Sequence, residues 1–334
     1  VEPLVSILIP AFNAENWIGD AIHSAVSQSW PRKEVIIVDD GSTDQTYSAA
    51  GKFEGKCVRV ETQKNQGASV ARNTALALSQ GDFIQWLDGD DILAPDKIEK
   101  QLRKIDCASG TRILLSSSWG RFYYRVRKSR FSPTPLWQSL PPATWLTTKM
   151  IENTWMSIES WLISREISDA AGPWDARLIR DNDGEYFSRA VCASDGTLHV
   201  SDSKSFVRRA SFGSVSRDFS LSDAKLQSLF LSKSLQIGQL RSLDDSAKTR
   251  AICLKYLQDW LIYYYPENED LVEKSRLLAR ELGGELQEPA LNWKYDLVRK
   301  TFGWSSAKKA LFDVPKPREV VRRALDALLF RLES

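Results

Sequence analysis

Four strand-length, largely apolar segments constrain this chain more than any other feature: "LVSILIP" (4–10), "EVIIVDD" (34–40), "CVRVET" (57–62) and "DFIQWL" (82–87). A strand with one face in water alternates apolar and polar residues, whereas an unbroken apolar run is a strand buried on both faces. Helical segments lie between them. "NWIGDAIHSAVSQS" (16–29) sets Trp17, Ile18, Ala21, Ile22, Ala25 and Val26 at helical spacing, "STDQTYSAAGKF" opens on a Ser/Thr/Asp cap, and "GASVARNTALALS" (67–79) is a third helix. Strand–helix–strand alternation requires right-handed crossovers onto a mostly parallel sheet, so an α/β fold is predicted. Such sheets bind ligands beyond the carboxyl ends of their strands. The loops there, "PAFNAEN", "DDGSTD", "TQKNQG" and "DGDDILAP", gather Asp and Asn and make that edge acidic and polar.

At 334 residues the chain has room for one large α/β domain and an appendage. Its 45 Lys and Arg nearly balance 43 Asp and Glu, which gives no strongly basic footprint for nucleic acid; a charged ligand must be met locally. Cys57, Cys107, Cys192 and Cys253 are scattered without a C-x-x-C pair, with only His23 and His199 to join them. Neither a zinc site nor a disulfide framework is expected, and buried reduced thiols suit a cytoplasmic location. "VEPLVSILIPAFNAE" has no basic leader or small-residue cleavage site and reads as a first strand. No stretch approaches the ~20 apolar residues of a membrane span.

The fourth strand runs straight into Asp88, Asp90 and Asp91. Acids favour the start of the helix near "PDKIEKQLRK", which accounts for Asp96 and in part for Asp91. Asp88 and Asp90 lie several residues before Pro95 and repel each other, so they call for a cation, and oxygen ligands suit Mg²⁺ or Mn²⁺.

Three segments, in order and spacing, resemble the inverting glycosyltransferases of family 2, which have the GT-A nucleotide-sugar fold. They are "SILIPAFNAENWIGDAIHSAVSQSWPRKEVIIVDDGSTDQT", "NQGASVARNTALALSQGDFIQWLDGDDILAPDKI" and "GPWDARLIRDNDGEYFSR", within roughly residues 4–215. The resemblance implies a D-x-D pair that holds the cation against the donor's pyrophosphate, with Asp90 as main protein ligand and Asp88 facing the ribose and helping to orient the metal shell; Asp91 supports the loop. It also implies that Pro10 and Ala11 line the base pocket by backbone, Phe12 stacks on the base, and Asp40 accepts a pyrimidine N–H, with UDP as the expected nucleotide. Arg72 and Asn73 interrupt a small, apolar helix; a buried Arg72 needs Asp40, Asp88 or the nucleotide as partner.

Inverting transfer is a single displacement, so the acceptor hydroxyl needs a base. "RDNDGEYFSRAV" (180–191) resembles the family's Glu-Asp base motif with Asn182–Asp183 in register, which makes Asp183 the candidate base near a helix N-cap. Asn182 departs from the usual Glu, and Asp181 and Glu185 stay open as alternatives. Five tryptophans from Trp137 to Trp174 offer an acceptor wall, with Trp155 and Trp161 as first candidates; ordinary core packing is the other reading of each ring. "KSFVRRASFGSVSRD" resembles the family's flexible basic segment over the diphosphate, with Arg208 or Arg209 as phosphate contacts and Gly213, Ser214 and Ser216 nearby.

These features predict a glycosyltransferase domain over 1–217, with a nucleotide-sugar half (1–110) and an acceptor half (111–217), then a helical region over 218–334. From Pro289 the chain carries ten Lys and Arg against five Asp and Glu, interleaved with Trp293, Tyr295, Phe302, Trp304 and Phe312. It either packs on the domain or lies on an anionic membrane, at its inner face, where lipid-linked acceptors reside. A nucleotidyltransferase would want a Gly-rich N-terminal phosphate loop, a dinucleotide oxidoreductase G-x-G-x-x-G after strand one, and an aspartyl phosphatase its acids after strand one; none is present. The expectation is a metal-dependent inverting transferase that moves a sugar from a UDP-linked donor to a glycan or lipid-linked acceptor in cell-surface polysaccharide assembly. The alternative is a non-catalytic nucleotide-sugar or glycan-binding module, against which Asp88, Asp90 and Asp183 together argue.

Overall fold

The computed structural model describes residues 2–105, 112–209, 222–312 and 317–333. The first elements are β1 (Val5–Ala11), α1 (Ile18–Val26), β2 (Lys33–Asp39), α2 (Thr46–Gly51), β3 (Val58–Thr62), α3 (Ala68–Leu78), β4 (Phe83–Trp86), β5 (Ile92–Leu93) and α4 (Lys97–Leu102). Next come β6 (Ile113–Phe122), β7 (Arg130–Phe131), α5 (Pro142–Ile151), β8 (Ile163–Ser164), α6 (Arg165–Ala171), α7 (Asn182–Ala193) and β9 (Gly196–Arg208). The chain continues with α8 (Asp223–Leu243), α9 (Ala247–Leu261), α10 (Glu269–Glu281), α11 (Trp293–Phe312, broken at Gly303) and α12 (Pro317–Glu333).

The predicted strands lie within one residue of the observed ones at each end. β1 is buried along its length because parallel neighbours flank it and helices cover both faces. The first sheet runs β3-β2-β1-β4-β8, parallel except for β8, which closes one edge antiparallel to β4. A second sheet, β5-β9-β6-β7, pairs β6 and β9 in parallel with a register shift between Ser117 and Ser118.

The sheets do not divide at residue 110: β5 joins the second sheet and β8 the first. Nor is the packing of the helical region separate from that of the domain, although Leu261, Tyr264, Leu271 and Val272 form a small cluster of their own. Ile237, Leu240, Tyr256 and Leu257 belong to the same buried cluster as Trp86, Trp174, Tyr186 and Phe187. α8 is therefore a wall of the domain, placed against α7, where the candidate base lies.

Candidate active site

β1 and β2 end side by side, Ala11 opposite Asp39, so their loops share the carboxyl edge of the first sheet. Asn13 donates its N–H to Ser42 Oγ (2.9 Å) and accepts from Thr43 N (2.9 Å), locking the first loop to the second. The second turn needs Gly41: its φ is +72°, and a Cβ there would lie 2.7 Å from Asn65 N. Asp40, buried, accepts from Gln63 Nε2 (2.8 Å), Gln66 N (3.0 Å) and Gly67 N (2.8 Å), and so ties the third loop and the start of α3 to the same edge. A base N–H at Asp40 would have to share an oxygen already bonded. Pro10 and Ala11 are buried, whereas Phe12 is 49% exposed, a ring free to stack.

α3 brings Arg72 to this edge, and of its possible partners it takes Asp88, Nη2 to Oδ1 at 2.8 Å. The guanidinium lies 4.5 Å from the Trp174 ring, whose backbone Asn73 clamps through bonds of 2.8 and 2.9 Å. Arg72 Nε and Nη1 are buried with no partner, an under-satisfied state that a bound anion would relieve.

In the turn after β4, Asp88 and Asp90 stay partly exposed, while Asp91 is buried and accepts the Arg208 N–H at 2.7 Å. Burial, reinforced by the charges of Asp90, Glu159 and Asp88, holds the Asp91 carboxyl well above the usual carboxylate range. Asp88 and Asp90 are thus the two acids of the turn that stay toward solvent. Among the described residues no three His, Cys, Asp or Glu side chains form a metal centre by themselves. Asp88 and Asp90 fit a Mg²⁺ or Mn²⁺ that takes one or two carboxylates and completes its shell with phosphate oxygens and water, the usual mode of Mg²⁺.

Before α7, Asp181 adopts φ +56° and turns its carboxylate inward, where Lys233 Nζ, Ser232 Oγ and Gln236 Nε2 each meet Oδ2 at 2.7 Å. A Cβ on Gly184 would lie 2.5 Å from Asp181 Oδ1, so the first turn of α7 closes over that group only with glycine there. Lys149 joins from α5, bonding Gly184 O at 3.2 Å and Gln236 Oε1. Burial works against the Asp181 charge, yet Lys233 and Lys149 prevail and hold its carboxyl below the usual range. Burial likewise opposes the Lys233 charge, but Asp181 raises that amine; burial brings Lys149 down to about 8.

Glu185 is engaged by Arg189 Nε (2.7 Å) and Gln239 Nε2 (2.9 Å). Of the three acids in this segment, Asp183 has no ion pair among the described residues. It is half-buried, and burial raises its carboxyl, with Asp181 adding to the rise and Arg72 opposing it. Arg72, paired with Asp88, opposes the rise at Asp183 as well, and Asn182 Nδ2 bonds Ser69 Oγ at 3.2 Å on α3, the helix that carries Arg72, so the base turn lies against the same helix. A carboxylate raised toward neutrality suits a general base.

Arg208 differs from its expected place in a mobile loop. It is the last residue of β9, its guanidinium buried on Asp20 Oδ2 (2.6 Å) and Asp90 O (2.9 Å), 4.2 Å from the Trp17 ring. Strand pairing fixes it as a brace behind the D-x-D turn. Arg209 is half-buried with its N–H on Phe122 O (2.8 Å); Gly213, Ser214, Ser216 and Cys107 lie outside the described residues. Trp161 is not an acceptor wall: it is fully buried and stacked on Phe187 at 5.1 Å. Trp155 is 40% exposed and lies on Trp119.

Sequence reasoning missed Asp20, Lys149, Lys233 and Glu159. Glu159 is fully buried near the D-x-D turn, pushed by burial up to about 7, with Oε1 unpartnered. A single acid inside the apolar "WMSIESWLI" and a lysine on the apolar helix "SLFLSKSLQ" were the available signals.

Residues 6–148 match the sequence model for glycosyl transferase family 2. An uncharacterized glycosyltransferase of Haemophilus influenzae is 45% identical over 103 residues, 30% of this chain and 41% of that protein. The Bacillus subtilis glycosyltransferase TuaG, named for teichuronic acid biosynthesis, is 45% identical over 104 residues, again 30% of this chain and 41% of its own length. The chain thus spans about two fifths of these relatives. Among solved structures, S. aureus TarS residues 1–349 in complex with UDP-GlcNAc superposes with a TM-score of 0.59 over 84% of this chain and 88% of that one; at 18% identity the likeness is one of fold.

Proposed function

Since residues 6–148 carry a glycosyltransferase family 2 domain, on the mostly parallel α/β sheet expected of GT-A enzymes, we propose that the chain transfers a sugar with inversion from a UDP-linked donor to an acceptor hydroxyl, with divalent-metal dependence. The observation that carries this reading is Arg72. It pairs with Asp88 of the D-x-D turn, acts by charge on Asp183 of the base turn, and keeps two buried nitrogens idle.

In this reading Phe12 stacks on the uracil, Pro10 and Ala11 line it by backbone, and Asp40 orients the surrounding loops and accepts the base N–H. Asp90, with Asp88, would hold Mn²⁺ or Mg²⁺; the bound cation neutralises the pyrophosphate and the charge on the departing diphosphate. Arg72 places its unpaired nitrogens toward phosphate. Asp183 takes the proton of the acceptor hydroxyl as that oxygen bonds to the anomeric carbon. The anomeric carbon–oxygen bond to phosphate breaks with both electrons leaving on UDP, so one displacement inverts the centre. The TarS complexes with UDP-GlcNAc and UDP support a uridine donor, and the names of TuaG and of a Pasteurella multocida chondroitin synthase, 41% identical over 104 residues, support a polysaccharide acceptor.

Peripheral membrane contact through 289–334 belongs to the same proposal. Among the described residues no helix is long and apolar enough to cross a membrane. α11 and α12 do pack inward: Phe312 stacks on Tyr263 (4.9 Å), and Arg125 pairs with Asp326 (2.8 Å). Their outer faces nonetheless expose Trp293, Phe302, Val321, Leu328 and Leu332 beside Arg322 and Arg323, the composition of an interfacial helix on anionic lipid.

UDP release from a panel of UDP-sugars, in Mn²⁺ and in chelator, tests the proposal. Release that requires one UDP-sugar and the metal, and that Asp183→Asn abolishes, is expected. UDP-sugar binding without release under any acceptor would make the protein a binding module instead.

A further inference from the structure

β6 carries Trp119 and Arg121 two residues apart, hence on one face of the second sheet. Trp119 belongs to the buried cluster of Trp86, Tyr186 and Phe187, and α5, the helix just before Trp155, reaches the turn of the candidate base through Lys149 Nζ on Gly184 O at 3.2 Å. The segment after α5 lays Trp155 against Trp119, ring centroids 4.6 Å apart, and leaves Trp155 40% exposed. The exposed Arg121 guanidinium lies 5.0 Å from the Trp119 ring and 5.6 Å from that of Trp155.

Arg209 is the neighbour of Arg121, its backbone N–H bonded to Phe122 O at 2.8 Å. Burial and the like charge of Arg209 lower the Arg121 guanidinium, and Glu319 of α12 offsets this in part. Among the described residues no carboxylate forms an ion pair with either arginine. Both guanidinium groups are thus without a carboxylate partner of their own among these residues, and their planar forks match carboxylate and phosphate oxygens. The exposed indole alongside offers an apolar face to a sugar ring. Neither donor binding nor proton removal uses Trp119 or Arg121.

We propose that Trp155, supported by Trp119, together with Arg121 and Arg209, forms an acceptor subsite for a glycan that bears an anionic group, a carboxylate or a phosphodiester. One ring stacks on Trp155 and the adjacent anion bridges the two arginines. The proposal rests on the glycosyltransferase reading and adds the acceptor's charge to it.

Calorimetric titration of the full chain with three probes provides the test: a glucuronate-bearing tetrasaccharide, the same tetrasaccharide with its carboxylates reduced to alcohols, and a sugar oligomer of equal length joined by phosphodiesters. At least one anionic probe binds about tenfold or more tighter than the reduced one, the scale of one charge-assisted contact. Which anionic arm binds better identifies the source of the charge. Arg121→Gln brings the preference to within about twofold and leaves the reduced probe's affinity unchanged, as expected when one charge-assisted contact is lost. Trp155→Ala weakens charged and reduced probes by the same factor. A reduced probe that binds as tightly as both anionic ones, or an Arg121→Gln variant with the preference intact, overturns the subsite. UDP-sugar binding on the same preparation keeps the two readings apart: if it fails, the transferase reading falls; if it holds while the preference is absent, only the subsite falls.

Discussion

Asp91 and Asp181 occupy matching places in two acid-rich turns, and they ionise in opposite directions. Each is turned inward while a neighbour, Asp90 or Asp183, is left for the site. Asp91 meets a backbone N–H and three other acids, and holds its proton well above the usual range. Asp181 meets Lys233 and Lys149 and holds its charge below that range. Burial opposes both charges; at Asp181 the lysines behind the turn overcome it, and at Asp91, among the described residues, no lysine stands behind the turn to do so. The first turn leaves Asp88 and Asp90 toward solvent, where a cation can reach them, and the second sets a neutralised floor under the candidate base.

The largest expected effect separates the two outward acids. Asp183→Asn lowers turnover by at least ~10²-fold, the scale of general-base catalysis, with thermal stability unchanged. Full activity in Asp183→Asn beside a dead Asp181→Asn would move the base to the braced residue and break the comparison.

Next in size is the contrast between the inward acids. Lys233→Met strands the Asp181 charge and is expected to cost about 3–5 kcal/mol in denaturant unfolding. Asp91→Asn replaces a carboxyl whose charge burial already opposes, keeps an oxygen for the Arg208 N–H, and costs under about 1 kcal/mol. Equal losses would show that countercharge is not what distinguishes the turns.

The pH dependence sharpens the same point. Asp181 is depressed, so its stabilisation is present above the ordinary Asp value of 3.8 and is lost as pH falls through its lower folded value. Asp91 is raised, so the folded state binds its proton more tightly, and stability declines as pH rises from the ordinary value toward the raised one. The melting temperature of Asp91→Asn should therefore gain on the wild type as pH rises above about 4; a gap that stays constant with pH would remove the raised Asp91.

A further contrast concerns the tail. Removal of residues from 289 should release the protein from anionic liposomes, with each lost Lys or Arg worth about 1 kcal/mol at low salt. Packing without lipid contact predicts instead an intact protein that stays in the supernatant at any salt, and a truncated one that melts earlier.

The first sheet and its acidic edge were legible because unbroken apolar runs and strand-end acids leave direct marks in the sequence. The second sheet was not: β5 has two residues, and β9 reads "GTLHVSDSKSFVR", too polar to stand out until paired with β6. Arg208 was expected in a flexible basic segment over the diphosphate, but its partner strand buries it against Asp20. Trp161 and Trp155 carry the same ring in the same Trp-rich stretch, and only packing tells wall from core. Lys233 was illegible because a lysine reads as surface until Asp181, 52 positions earlier, is brought to 2.7 Å.

The most direct test of the division of labour is the UDP-sugar affinity of wild type, Asp90→Ala and Asp183→Asn in Mn²⁺, set beside the wild type in chelator. Asp90→Ala should fall to the affinity of the chelated wild type, while Asp183→Asn keeps the metal-supported value. Affinity unchanged by both Asp90→Ala and chelator, or lost in Asp183→Asn, would contradict the assignment of donor charge to one turn and proton removal to the other.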